Sequence, residues 1–333
     1  MKLRPRIFFV LLFGFSLLVL SPLSAQSLKS FDYTFAGSAE DSIRPPQSGI
    51  ALMGGGKDQD DAFKWLIKQA SYSDILVLRA SGDGAYNPYI LGLGPVNSVQ
   101  TIVFNSPDAA NDAFILEKIN KAEGIFFPGG DQWKYVSLWK NTPVQKAIAE
   151  AIRRGAVIGG TSAGLAILGE FCFTAENDSI LPEEALADPY HSRMCLAKGL
   201  FEFEILKNII TDSHFVKRDR MGRLISFIAR LVEDGSTREA IGIGIDEQTT
   251  LLIGADGVGT LCGIGTAYIL KTPGRPESCR KNEPLTFKNI QTYKMVPNSH
   301  FDFKKFEGSN LAQYSLSAES GKIRSSQNNG SIY

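Results

Sequence analysis

From residue 50 to about 170, short apolar runs alternate with stretches of helical spacing, and this alternation restricts the fold more than any other feature of the chain. The runs are GIALMGG, DILVLRA, TIVFN, GIFFPGG and AVIGG. Between them lie DDAFKWLIKQA, DAANDAFILEKINKA and two helix candidates around 132–140 and 143–154. Strands that are apolar at successive positions are buried on both faces. Separated by helices, they predict an α/β fold: a three-layer sandwich with a mainly parallel central sheet. Sites in such sheets form beyond the carboxyl ends of the strands. Three glycine clusters are expected there: Gly54 to Gly56, Gly129 with Gly130, and Gly159 with Gly160. Residues 81–95, rich in Gly, Asn and Pro, read as a loop, and Asp108 as a favourable charge at the start of the next helix.

After residue 170 the texture changes. Residues 171–199 carry charges and proline and read as an insertion or long loop. RLISFIARLVED has the spacing of an amphipathic helix, with Leu224, Phe227, Ile228 and Leu231 on one face. AIGIGIDEQTTLLIGADGVGTLCGIGTAYIL predicts further β strands, with ADG as a hairpin turn. From about residue 309 the chain is polar and rich in Ser, Asn and Gly, which predicts a loosely held tail, residues 309–333. The main domain is expected over residues 26–308, and no internal repeat is present.

The amino end predicts export. Lys2, Arg4 and Arg6 precede the apolar run IFFVLLFGFSLLVL, followed by Ser21, Pro22 and small residues ending at Ala25. This is the layout of a signal peptide over residues 1–25. The run of about 14 apolar residues is short of the ~20 that a spanning helix needs. An exported chain of zero formal net charge has no general attraction for nucleic acid or anionic membranes. In an oxidising compartment Cys172, Cys195, Cys262 and Cys279 can pair, and 172 with 195 and 262 with 279 is the simplest arrangement; buried free thiols are the alternative. The cysteine spacing is unlike that of a zinc site, and with only three histidines no metal or other cofactor is expected.

The stretch AVIGGTSAGLAILGE, residues 156–170, carries the chemistry. Glycines two before and two after Ser162, between an apolar strand and a helix-forming run, form a G-x-S-x-G elbow that exposes a serine hydroxyl. The N–H of Ala163 can then face a developing oxyanion. A serine needs a base, and the choice is His191, His214 or His300. His191 falls in the presumed loop and His300 near the tail. His214 follows the apolar run NIITD, at the carboxyl end of a predicted strand, and is favoured. An orienting carboxylate is available from Asp246 or Glu247; neighbours on a strand point opposite ways, so only one can face the histidine. Arg218, Arg220, Arg223 and Arg230 follow His214. Arg220 and Arg223, three apart, share a helix face and can hold a substrate carboxylate; Arg230 is expected to face solvent.

FPGGDQ, GGTSAG, DSHFVKRDRMGRL and GIGIDE, in this order, resemble the cyanophycinase family of serine peptidases, over residues from about 48 to 305. The resemblance implies a fold like that of class I glutamine amidotransferases, related to aspartyl dipeptidases. It implies Ser162 as nucleophile, His214 as base and Glu247 as third member. It also implies Gly130 N–H as a second oxyanion donor beside Ala163, and Gln132, Asp212, Arg218, Arg220 and Arg223 as substrate-binding positions. Members hydrolyse cyanophycin, a poly-aspartate bearing arginines on its β-carboxyls, to β-aspartyl-arginine dipeptides, and are typically homodimers. Ser213 stands where the family usually has glutamine. A hydroxyl replaces an amide that both donates and accepts, so a substrate contact is altered while the triad is untouched.

Three other functions are compatible with these residues. A peptidase for other aspartyl or isoaspartyl peptides would share every catalytic residue. An esterase of the α/β-hydrolase type would have the order Ser, acid, His, whereas here the order is Ser, His, acid. An exported binding protein of the same fold would have no use for an activated hydroxyl.

Overall fold

The computed structural model describes residues 29–333; the stretch expected from sequence to be a signal peptide, residues 1–25, lies outside them. The first half contains strands β1 (Phe31–Gly37), β2 (Gly49–Met53), β3 (Asp74–Arg79), β4 (Ser98–Phe104), β5 (Gly124–Phe127) and β6 (Val157–Thr161). Helices α1 (Asp60–Gln69), α2 (Tyr86–Leu91), α3 (Ala113–Lys121), α4 (Gln132–Trp139), α5 (Pro143–Arg153) and α6 (Ala163–Ala166) connect them. Strands β4, β3, β5, β6 and β2 lie side by side in that order and all run parallel.

Both faces of this block are buried, as its apolar runs require. Leu76, Leu78, Ile125, Phe127 and Ile158 join Ile115, Ile119, Trp139 and Ile148 of α3, α4 and α5 in one cluster. Their strand neighbours Ile75, Val77, Phe126 and Val157 face the other way, against Phe63, Leu66 and Ile67 of α1 and Ile90 of α2. Local signals fix the helix starts. Asp131 accepts a hydrogen bond from Trp133 N–H at the start of α4. Thr142 does the same for Gln145 at α5, where Pro143 occupies the first turn. Asp112, and not Asp108, caps α3, because residues 107–111 form a separate 3₁₀ turn. The presumed loop over 81–95 contains α2.

The second half adds β7 (Phe171–Phe173), α7 (Pro182–Ala187), β8 (Leu196–Lys198), β9 (Ile209–Asp212), α8 (Met221–Glu233) and β10 (Ile241–Ile245). It continues with β11 (Thr249–Gly254), β12 (Val258–Gly263), β13 (Ala267–Lys271), β14 (Phe287–Asp302), β15 (Glu307–Glu319) and β16 (Lys322–Ser325). β9 pairs parallel with both β7 and β10. Antiparallel β11, β12, β14 and β13 join β2 to β10, so the described strands form one sheet of 16. The fold is thus mixed α/β, parallel in its core, with added C-terminal strands.

Three expectations are corrected. Residues 171–199 are not a loop: β7 and β8 pair as a hairpin enclosing α7, because Phe171 and Phe173 pack with Ile210 and Phe227 against α8. Residues 309–333 are not loose: β15 and β16 are paired strands, and the alternating Tyr314, Leu316 and Ala318 are buried. All four cysteines are free thiols. Cys172 lies opposite Ala197, a diagonal from Cys195 that spans about 7–8 Å, beyond disulfide reach. Cys262 and Cys279 belong to different hydrophobic clusters.

Candidate active site

Ser162 sits between β6 and α6 with φ 54° and ψ −114°, a backbone state that is costly for a residue with a Cβ. The strain lifts the side chain out of the sheet, and its Oγ meets His214 Nε2 at 2.7 Å. His214 Nδ1 meets Glu247 Oε1 at 2.7 Å. The three groups form one hydrogen-bonded chain along the carboxyl-end rim of the sheet.

What holds this chain together is the end of β2. Ser162 N–H donates to Met53 O, His214 N–H to Gly54 O and Gln248 N–H to Gly55 O. Three successive carbonyls thereby set the spacing of the segments bearing Ser162, His214 and Glu247. Gly55 has φ 97°, and a Cβ there would stand 2.5 Å from His214 Cε1; the imidazole occupies the space a side chain would fill. The glycine cluster at residues 54–56 was visible in the sequence, but its role in aligning three distant segments was not.

Asp246 and Glu247, in the turn that follows β10, divide the work. Glu247 takes the imidazole, and Asp246 accepts from Lys217 N–H at 3.0 Å, fixing the loop after His214 from outside. Phe215 completes the attachment. Its N–H donates to Ile245 O, and its ring lies where a Cβ on Gly244 would be, 2.4 Å from Cδ2. The alternation in GIGID therefore buries its isoleucines on one face and leaves glycine on the other to admit this ring.

The other predicted residues fall into two groups. Gly129 packs beside Ser162, since a Cβ there would be 3.4 Å from the serine Cβ, so the peptide leading to Gly130 N–H borders that serine. Ala163 N–H opens α6 immediately after it. Arg218 is exposed at the rim. The second group is turned inward. Asp212 is buried; Arg223 Nε and Nη2 donate to its two oxygens at 2.7 and 2.6 Å, and Arg220 Nη1 adds a third bond at 3.2 Å. Arg220 also donates to Ser213 O at 2.8 Å, and Ser213 is itself buried. The expected arginine fork is thus spent on an internal carboxylate, the answer to placing an acid at the buried end of β9. Gln132 donates to Phe173 O at 3.0 Å, tying α4 to β7. Arg230 does not face solvent: it stacks 3.6 Å from the Tyr190 ring centroid and bonds Pro189 O and Asp234.

Electrostatics favour a neutral base. Burial holds His214 below the ordinary histidine range, and the charges of Arg218 and Arg220 add to this against the opposing pull of Glu247. The hydrogen bond from His214 holds the Glu247 carboxyl below its usual range, aided by Arg218 and Lys217. Asp212 also lies below the usual range: burial alone would raise it, but Arg223 and Arg220 overcome this. At neutral pH the site presents a neutral imidazole between a serine hydroxyl and an ionised carboxylate, the arrangement that can activate a hydroxyl for acyl transfer.

Residues 91–261, which carry all three groups, match the family model Peptidase family S51. The cyanophycinase of Synechococcus elongatus is 30% identical over 266 residues, covering 77% of this chain and 74% of the relative. This chain belongs to Peptidase family S51. A second relative, the cyanophycinase of Trichormus variabilis, is 27% identical over 262 residues, 77% of this chain and 80% of its own. A solved peptidase from an acI-B1 actinobacterium superposes with TM-score 0.49 at 20% identity, over 68% of this chain and 91% of that one. Within this S51 peptidase, Glu247 rather than Asp246 faces the imidazole, a choice that spacing alone leaves open.

Proposed function

We propose that this peptidase hydrolyses the aspartyl backbone of cyanophycin, releasing β-aspartyl-arginine dipeptides, with Ser162, His214 and Glu247 as its catalytic triad. The observation that carries the proposal is the unbroken hydrogen-bond chain Ser162–His214–Glu247, with 2.7 Å at both links. Ser162 Oγ bonds to the scissile carbonyl carbon while His214 Nε2 takes its proton. The Ala163 and Gly130 N–H groups stabilise the oxyanion. The C–N bond then breaks, and the imidazolium returns the proton to the leaving amine. Water attacks the acyl-serine, His214 takes a proton from it, and the Ser162 hydroxyl is restored. Glu247 holds the imidazole tautomer and offsets its transient charge. Exposed Arg218 and Lys217 at the rim suit a substrate rich in carboxylates. The chain is taken to be exported after loss of residues 1–25 and to act as a homodimer on polymer outside the cell that made it.

A second reading keeps the triad and changes the substrate to other aspartyl or isoaspartyl peptides. It is favoured by Ser213, which is buried and stands where the family usually has glutamine, and by the internal pairing of Asp212. Incubation of the purified protein with insoluble cyanophycin, beside Ser162→Ala, separates the two. β-Aspartyl-arginine released by the wild type alone supports the first. No release, with Ser162 still reactive, moves the substrate to other aspartyl peptides.

A further inference from the structure

The loop that carries His214 is held from behind by the far end of the chain. Tyr333 lies between it and the C-terminal strands. Its hydroxyl donates to Asp219 Oδ1 at 2.8 Å and accepts from Met221 N–H at 3.1 Å. Its ring packs edge-on against Phe215, with centroids 6.1 Å apart, and against Tyr268 at 5.6 Å. Phe215 directly follows His214, and Asp219 lies between Arg218 and Arg220. The tyrosine therefore grips both ends of the segment between the base and α8.

The gripping segment is itself anchored. Ser326 N–H donates to Ser315 O, Tyr314 hydroxyl donates to Ile332 O at 3.0 Å, and Gln327 closes a turn onto Ser331 O at 2.6 Å. The loop needs such support. His214 and Asp219 both have φ 48°, conformations that persist only when surrounding structure enforces them. Burial and the neighbouring Asp219 push the Tyr333 phenol well above its ordinary range, so it remains a donor.

We propose that Tyr333 is a positioning residue for the catalytic histidine, acting through Phe215 and Asp219 to fix the His214 loop against Ser162. The proposal rests on the Ser162–His214 reading of the site. The groups facing His214 are Glu247 from the turn after β10, Arg218 and Arg220 from its own loop, Ser162, and the backbone of Gly55. Loosening the loop moves the two arginines and admits water, and both changes raise the imidazole toward its ordinary range.

The test is the rate at which a fluorophosphonate labels Ser162, measured against pH for wild type, Tyr333→Phe and Tyr333→Ala, with thermal melting alongside. This readout requires no knowledge of the natural substrate. The expected result is slower labelling by about tenfold or more in Tyr333→Ala, within the ~10²-fold that small misplacements cost. Its acid limb moves to higher pH, and Tyr333→Phe shows a smaller change of the same sign. A lower melting temperature with unchanged labelling rate and acid limb overturns the proposal. If Tyr333→Ala does not fold, Tyr333→Phe decides: it keeps the ring, and an unmoved rate and limb in it also overturn the proposal. A wild type that never labels overturns the nucleophile assignment beneath it.

Discussion

The turn that carries Ser162 and the loop that carries His214 reach the same hydrogen bond by opposite routes. Ser162 is placed locally. A strand, a strained residue and a short helix follow one another within residues 157–166, with Met53 O and the close approach of Gly129 as support from elsewhere. His214 is placed by contacts distant in sequence: Gly54, Asp246, Gly244 and Tyr333 all hold its loop. A nucleophile can be built into a turn, whereas a base that must reach across to it depends on several strands meeting. Damage far from the chemistry is therefore expected to act through the histidine.

Five substitutions can break or sharpen this contrast. Ser162→Ala should lower turnover by roughly 10⁴–10⁶-fold, as in other triads, with the melting temperature preserved; a steady-state assay beside a melting curve checks both. Asp212→Asn strikes the ion pair beneath the His214 loop. Leaving Arg223 buried without its carboxylate should cost about 3–5 kcal/mol of stability, read by denaturant unfolding. Because the Asp212 carboxyl is held below its ordinary range, its contribution is complete above that range. It is lost as pH falls through the depressed value, so wild type and variant should converge in acid. Gly55→Ala drives a methyl into the imidazole and should reduce kcat/KM by about 10²-fold, whereas a glycine of merely structural importance would alter melting alone.

Smaller effects separate charge from geometry. Arg218→Gln removes a positive charge that disfavours the imidazolium, so the acid limb of fluorophosphonate labelling of Ser162 should move to higher pH while the neutral-pH labelling rate changes little; the labelling rate against pH reports it, apart from any loss of substrate attraction. Glu123, at the opposite end of the sheet, accepts from Asp74 N–H at 3.1 Å. Burial pushes its carboxyl up to about 7. Its protonated form favours the folded state, so its contribution is complete below the ordinary carboxylate range and is lost as pH rises through about 7. Glu123→Gln should flatten that decline in melting experiments and leave catalysis untouched.

The same contrast decides what could be read from the sequence. The parallel core was legible because burial on both faces writes a continuous apolar run, and the elbow was legible because its glycines are adjacent in the chain. His214 could be favoured from its place after the apolar run before it. The tail, β7 and β8 were misjudged because their strands are stabilised by partners remote in sequence. Tyr314, Leu316 and Ala318 alternate correctly for a half-buried strand, but Ser315 and Ser317 between them, in a stretch rich in polar residues, hide the signal. The pairing of Arg220 and Arg223 was not legible, because sequence shows their spacing and not the buried Asp212 carboxylate that they bond.

The site of acylation, and its dependence on His214, test the Ser162–His214 pairing most directly. The protein is treated with a fluorophosphonate at neutral pH, digested, and the modified peptide identified by mass spectrometry, beside His214→Ala. One adduct is expected, on Ser162, formed at least about a hundredfold more slowly without the imidazole. Labelling elsewhere, or equally fast labelling of Ser162 in His214→Ala, would contradict the pairing.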